Sequence, residues 1–161
     1  SPMRVCCVIP ALNEEESVGG VVRAVRELGV DAVVVDNGSG DATRARAAEA
    51  GATVLREERR GYGAAVAKAA LEWEGRHAYT HLLFCAADGQ DDVGANAPRL
   101  LEAARAGFPP PDLVLGDRTG EAEAGALSIP QRIGSMLAGG LLALLWGVHF
   151  RDLGPLRLIR R

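Results

Sequence analysis

A chain of 161 residues with 48% hydrophobic side chains is long enough to bury one substantial core without disulfides, and too apolar for intrinsic disorder. Its formal net charge of -3 supplies no basic field for nucleic acid. Cys6, Cys7 and Cys85 sit in apolar runs without ligand-like spacing, which argues against a zinc site or disulfide framework and for buried thiols in a reducing, cytoplasmic compartment.

Ser1 and Pro2 ahead of Met3 read as a cloning remnant, and residues 3–161 as a single domain whose end after LRLIRR suggests a piece of a longer protein. Residues 5–9, VCCVI, form a continuous apolar run before Pro10, the pattern of a central parallel strand covered on both faces. A helix should follow, with Asn13 as its N-cap and Glu16 completing a capping box. Val18, Val21, Val22, Val25 and Leu28 make its apolar face, and Gly29 stops it. Residues 32–35 read as the next strand, Asp41 as the cap of a helix reaching about Ala50, Gly51 as its end, and 53–55 as a third strand. Further along, 63–73 reads as helix, 81–85 as strand, 95–106 as helix and 113–115 as strand. A loop over 119–130 and a helix over 131–146 follow. This alternation predicts an α/β fold with a mainly parallel central sheet and helices on both faces. In such sheets ligands bind beyond the carboxyl ends of the strands.

Those ends carry the polar residues. Asp36 follows Val33-Val34-Val35 and suits a base or ribose as acceptor, while Gly38 and Gly40 let the chain turn closely against a ligand. Asp41 is read as a helix cap. Asp88 follows an apolar strand and opens DGQDD, whose hard oxygens from Asp88, Gln90, Asp91 and Asp92 suit Mg²⁺ or Mn²⁺ on a diphosphate. The competing reading of that cluster is an acidic turn that caps the next helix.

PALNEE at 10–15, VVVDNGSGDAT at 33–43, GYGAA at 61–65 and AADGQDD at 86–92 together resemble the family 2 glycosyltransferases, particularly the dolichyl-phosphate mannose or glucose synthase-like branch. The resemblance continues through GDR at 116–118, PQRIGS at 130–135 and DLGPLRLIRR at 152–161. It implies a Rossmann-like, GT-A type nucleotide-diphospho-sugar fold. The nucleotide sugar, of UDP or GDP type, would lie on Pro10, Ala11, Leu12, Asn13, Glu14, Val34, Asp36, Gly38, Ala86, Ala87, Asp88 and Gln90. The metal, Mg²⁺ or Mn²⁺, would be held by Asp88 with Gln90. The family's motif is usually Asp-x-Asp, and Ala86 stands where the first aspartate would be, which implies weaker metal binding, ligation shifted to Gln90, Asp91 or Asp92, or a module that binds nucleotide sugar without turnover. Arg118 and Arg132 match basic residues that hold an acceptor phosphate in polyprenyl-phosphate-using members, with Ser135 adding a hydroxyl. The catalytic set implied is Asp88, Arg118 and Arg132. Guanidinium groups suit a phosphate because their hydrogen bonds are forked and charge-assisted. Read without the family, both arginines are surface residues at a helix start.

The activity implied is inverting transfer of a sugar to a polyprenyl phosphate or another acceptor. A phosphomonoester, with a second pKa of about 6, needs no general base, and only Asp91, Asp92 and Asp117 offer themselves as one. A nucleotidyltransferase, the other enzyme class with such a sheet, would need a basic, Gly-rich loop where PALNEE is acidic. The apolar residues 136–150 fall short of the roughly 18 to 20 needed to span a bilayer, so core packing is their first explanation. A peripheral contact at the inner face of the membrane, or a homodimer, is the alternative with Arg151, Arg157, Arg160 and Arg161 nearby.

Overall fold

The computed structural model describes residues 2–59, 68, 79–106, 113–115 and 157–160. The apolar run after Met3 forms strand β1 (Val5–Ala11), followed by α1 (Val18–Glu27), β2 (Asp31–Asp36), α2 (Thr43–Glu49) and β3 (Thr53–Arg56). Beyond these come β4 (His81–Phe84), α3 (Val93–Ala106), β5 (Leu113–Leu115) and β6 (Arg157–Arg160). The chain divides into two compact units, 1–114 with 156–161, and 115–155, and the site described below belongs to the first.

The strands form a six-stranded sheet in the order β3-β2-β1-β4-β6-β5. β1 pairs in parallel with β2 on one side and β4 on the other, and β2 pairs in parallel with β3. β6 runs antiparallel to β4, His81 opposite Arg160. The parallel α/β expectation therefore holds for β1 to β4, with an antiparallel strand added that the apolar-basic run LRLIRR had not suggested.

Alternate residues of the strands feed two cores. Cys7, Ile9, Ala11, Val34 and Leu83 pack with α1 and α3 residues such as Val18, Val22, Val25, Ala97 and Leu100. Cys6, Val8, Val33, Val35 and Phe84 build the core of the opposite face with Tyr79. All three cysteines are free and buried, and burial beside the Cys85 thiol pushes the Cys7 thiol well above its ordinary pKa.

Helix α1 shows how burial overrides propensity. It contains Gly19 and Gly20, each costing about 1 kcal/mol relative to alanine, and four valines with weak helix preference. Those valines, Val18, Val21, Val22 and Val25, are at most 5% exposed. At roughly 1.5 to 3 kcal/mol per buried side chain they outweigh the backbone cost. Gly29 ends the helix at φ 72, and Gly51 follows α2 at φ 98, both left-handed positions as expected of glycine after a helix.

Several boundaries differ from expectation. β1 continues through Pro10, opposite Val35, to Ala11. Its register with β4 ends at Val8–Phe84, so a proline two residues later faces only one paired neighbour and its missing N–H is tolerated. α1 starts at Val18 rather than after Asn13, which sits at φ 53 and caps nothing. α3 starts at Val93, two residues earlier than expected. Of the helix expected at 63–73 only Lys68 is described, and it is helical. The loop at 119–130, the helix at 131–146 and the whole apolar stretch at 136–150 lie outside the described residues. Among the described residues no helix is long and apolar enough to cross a membrane.

Candidate functional site

Four parallel strands end side by side, and the segments leaving them are stitched to one another. Asn37 donates its backbone N–H to Ala11 O at 2.9 Å, and Glu57 donates its own to Asp36 O at 2.9 Å. On the other flank Cys85 N–H reaches Val8 O at 3.3 Å. The rim thus runs from the β3 end through β2 and β1 to β4.

The segments after β1 and β2 are cross-tied by side chains. Asn13 N donates to Ser39 Oγ at 2.9 Å, and Asn13 Oδ1 accepts from Gly40 N at 2.9 Å. Glu14 N donates to Thr43 Oγ1 at 2.9 Å, and Glu15 Oε2 accepts from Ala42 N at 3.0 Å. The Thr43 hydroxyl, fully buried, donates a hydrogen bond to Asp41 Oδ1, which also accepts from Thr43 N at 3.0 Å. Asp41 thus holds the turn into α2 from the residue ahead of the N-cap, which is Ala42 rather than the expected Asp41, and the bonds from Thr43 hold its carboxyl below the ordinary range. Asn13 was expected to cap α1, but this tertiary network takes its side chain instead.

Asp36 is 0% exposed. Its oxygens accept from Ser39 N at 3.2 Å and Gly38 N at 3.3 Å, and Arg44 Nε lies 3.7 Å from Oδ2. The carboxylate thus shapes the turn at Gly38, which adopts φ 91, from beneath. Val34 is fully buried in the core two residues behind, a packing residue rather than one facing the rim. Leu12 is 44% exposed, an apolar side chain open at the β1 end.

A fourth rim segment was not anticipated. Glu57, at the end of β3, is 6% exposed and grips the exposed Arg59 through Nε at 3.2 Å, Nη2 at 2.9 Å and the backbone N at 2.8 Å. Asn37 Nδ2 donates to Arg59 O at 3.0 Å, tying this segment to the β2 end. The available signal was the charged run REERR directly after an apolar strand. Arg59 holds the Glu57 carboxyl at about 2, below its ordinary 4.5. Because the folded value is the lower one, the stabilisation is complete above the ordinary value and is lost as pH falls through it toward about 2. Glu57→Gln is accordingly expected to be less stable than the wild type near neutrality and to converge with it in acid. Urea midpoints across that window check this, and a gap independent of pH would count against it.

On the β4 side, Ala86 is half-buried and Asp88 and Gln90 are exposed. Asp88 Oδ1 accepts from Gln90 N at 3.0 Å. Asp92 Oδ1 accepts from Ala95 N at 3.0 Å, so the helix-capping reading of the acidic run is correct for Asp92. Ser17, which the sequence reading passed over, donates to Ala87 O at 2.6 Å. Among the described residues no three His, Cys, Asp or Glu side chains are grouped to hold a metal ion. With Asp88 and Asp92 as the exposed carboxylates of this turn, the set suits a divalent cation bound chiefly by substrate phosphates and water, as Mg²⁺ commonly is, and does not suit a resident metal cage. Arg118, Arg132, Ser135 and Asp117 lie outside the described residues.

The model of the family described as Glycosyl transferase family 2 matches residues 6–150. The chain belongs to glycosyl transferase family 2. Among curated proteins, this family 2 chain is 31% identical over 154 residues to glycosyltransferase AglJ of Haloferax volcanii, covering 95% of the chain and 48% of AglJ. It is 37% identical over 160 residues to an uncharacterized glycosyltransferase of Mycobacterium tuberculosis, covering 98% of the chain and 67% of that protein. Among solved structures, glucosyl-3-phosphoglycerate synthase from M. tuberculosis in complex with Mn²⁺, UDP-glucose and phosphoglyceric acid superposes with a TM-score of 0.73 at 25% identity. That match covers 98% of this chain and 56% of the synthase. The chain thus spans about half the length of AglJ and of the synthase. The GT-A type fold expected from the motifs is the observed one. The resemblance to the dolichyl-phosphate branch is narrowed to the family as a whole, since these relatives bear other names.

Proposed function

We propose that this chain transfers a sugar, with inversion, from a nucleoside-diphosphate sugar of UDP type to an acceptor that carries a phosphate. The observation that carries the reading is the rim itself: adjacent parallel strand ends present Leu12–Glu14, Gly38 and Asp88 along one edge, with Asp36 buried beneath the turn. Support comes from the family match and from the synthase structure, a complex with Mn²⁺, UDP-glucose and phosphoglyceric acid. The base and ribose would lie over the β1 and β2 ends, where Asn13, Glu14 and the Gly38 turn are fixed by hydrogen bonds. The diphosphate would lie toward Asp88.

In this reading an acceptor oxygen attacks the anomeric carbon, the bond from that carbon to the diphosphate breaks, and the electron pair leaves with the nucleoside diphosphate. A divalent cation on the diphosphate would supply neutralisation of the leaving group's charge. The chain's own residues position: Asp88 fixes the diphosphate end, and Arg118, Arg132 and Ser135 are proposed to hold the acceptor phosphate. A phosphate on the acceptor is common to the polyprenyl phosphate suggested by the motifs and to the acid named with the synthase.

The test is product analysis by mass spectrometry with UDP-glucose and GDP-mannose, each offered polyprenyl phosphate or 3-phosphoglycerate in the presence of Mn²⁺. A UDP-sugar-derived conjugate with one of the phosphate-bearing acceptors is expected, and the acceptor consumed separates the two chemistries. Ala86, apolar beside Asp88, favours one second reading, a module that binds the nucleotide sugar without turnover. UDP-glucose binding with neither transfer nor hydrolysis would establish that reading instead.

A further inference from the structure

Ser17 occupies the residue before α1, where a serine hydroxyl ordinarily accepts a hydrogen bond from the helix's own first turn. It makes no such bond. Its hydroxyl instead donates to Ala87 O, 70 residues away, at 2.6 Å. A second acceptor, Glu14 Oε2, lies at 3.3 Å. A hydroxyl has one proton, and the shorter contact takes it. The turn after Ala87 also packs on Ser17: Gly89, at φ 73, is placed so that a Cβ there would lie 3.5 Å from Ser17 Cβ.

The carbonyl of Ala87 and the N–H of Asp88 belong to one planar peptide unit. Fixing that oxygen therefore fixes the plane from which the Asp88 side chain departs. Asp88 Oδ1 is then held by Gln90 N at 3.0 Å within the same turn. A continuous path runs from Glu14, whose backbone O accepts from Ser17 N at 3.2 Å, through the Ser17 hydroxyl and the 87–88 peptide to the Asp88 carboxylate.

We infer that Ser17 is a positioning residue that couples the nucleotide segment after β1 to the carboxylate that meets the metal-diphosphate. This rests on the nucleotide-sugar reading above for its ligands, though not for its geometry. With Ala86 in place of the motif's first carboxylate and Asp92 engaged in capping α3, the orientation of Asp88 weighs more. Ser17 therefore acts on the diphosphate half of the ligand and leaves the base and ribose half alone.

The experiment compares wild type, Ser17→Ala and Ser17→Thr in two ways. In ligand-free protein, hydrogen–deuterium exchange is followed over α1 and over 86–92. By calorimetry, UMP is titrated without metal and UDP with Mn²⁺. Ser17→Ala is expected to speed exchange over 86–92 and not over α1, to leave UMP affinity unchanged, and to weaken UDP–Mn²⁺ binding by about 10-fold, the usual cost of losing a residue that orients a ligand-holding group. Ser17→Thr should restore both. Unchanged exchange and unchanged UDP–Mn²⁺ affinity would overturn the inference, as would equal losses for UMP and UDP with α1 loosened alike, which mark a merely structural role. If wild type gains nothing for UDP over UMP from Mn²⁺, the nucleotide-sugar reading fails, while the exchange data still decide the coupling.

Discussion

Replacing Asp36 by alanine is expected to lower the unfolding free energy by about 3 kcal/mol and to remove UDP binding with it. The carboxylate is fully buried and receives backbone N–H groups from Gly38 and Ser39. Deleting it strands those donors and leaves the guanidinium of Arg44, 3.7 Å away, without its buried partner. An unsatisfied buried group costs about 1 to 3 kcal/mol, and a broken buried pair about 3 to 5, with the exposure of Arg44 reducing the second figure. Asp36→Asn separates shape from charge. It keeps one acceptor oxygen but turns an NH₂ toward donors, so it should fall between wild type and alanine. Urea denaturation with calorimetry of UDP checks both variants. An unchanged midpoint for Asp36→Ala would show that the Gly38 turn is held by something else.

Asp88→Ala should do the opposite, leaving stability within about 0.5 kcal/mol because the side chain is exposed, while cutting sugar transfer on the order of 10²- to 10³-fold. Among the described residues no three metal-ligating side chains are grouped, so no cage of other ligands replaces Asp88 at this end of the sheet. Ala86→Asp adds the acid that the motif ordinarily has, two residues away at the same strand end. It is expected to lower the Mn²⁺ concentration for half-maximal rate by about 10-fold. Initial rates against Mn²⁺ measure both. Transfer undiminished in Asp88→Ala would remove this residue from the site, and an unchanged Mn²⁺ requirement in Ala86→Asp would mean that position 86 does not face the cation.

Much of this was legible in sequence because buried parallel strands and their polar ends announce themselves. Val5 to Ile9 and Ala32 to Val35 are continuous apolar runs, and the glycines at 29 and 51 stand where left-handed residues are needed. The capping errors have one cause, long-range competition for a side chain that local rules assign locally. Asn13 with Glu16 has the spacing of a capping box, yet Ser39 and Gly40, 26 and 27 residues away, claim its backbone and side chain. Ser17 then stands at the helix start and gives its hydroxyl to another loop. Glu57 and Arg59 were missed because a charged run after a strand looks like solvated surface until the fold shows the carboxylate buried. β6 was missed because its antiparallel pairing with β4 leaves no mark in the short apolar-basic run LRLIRR.

That return strand gives the two halves of the rim different folding histories. β1, α1 and β2 are contiguous, so the nucleotide half of the rim can assemble from short loop closures. The β4 end must wait: His81 pairs with Val5 on one side and with Arg160 on the other, each roughly 80 residues away in sequence. The half that binds base and ribose is built from near neighbours and should form early. The half that carries Asp88 is flanked by two distant partners, so competence for chemistry should be the last property the folding chain acquires.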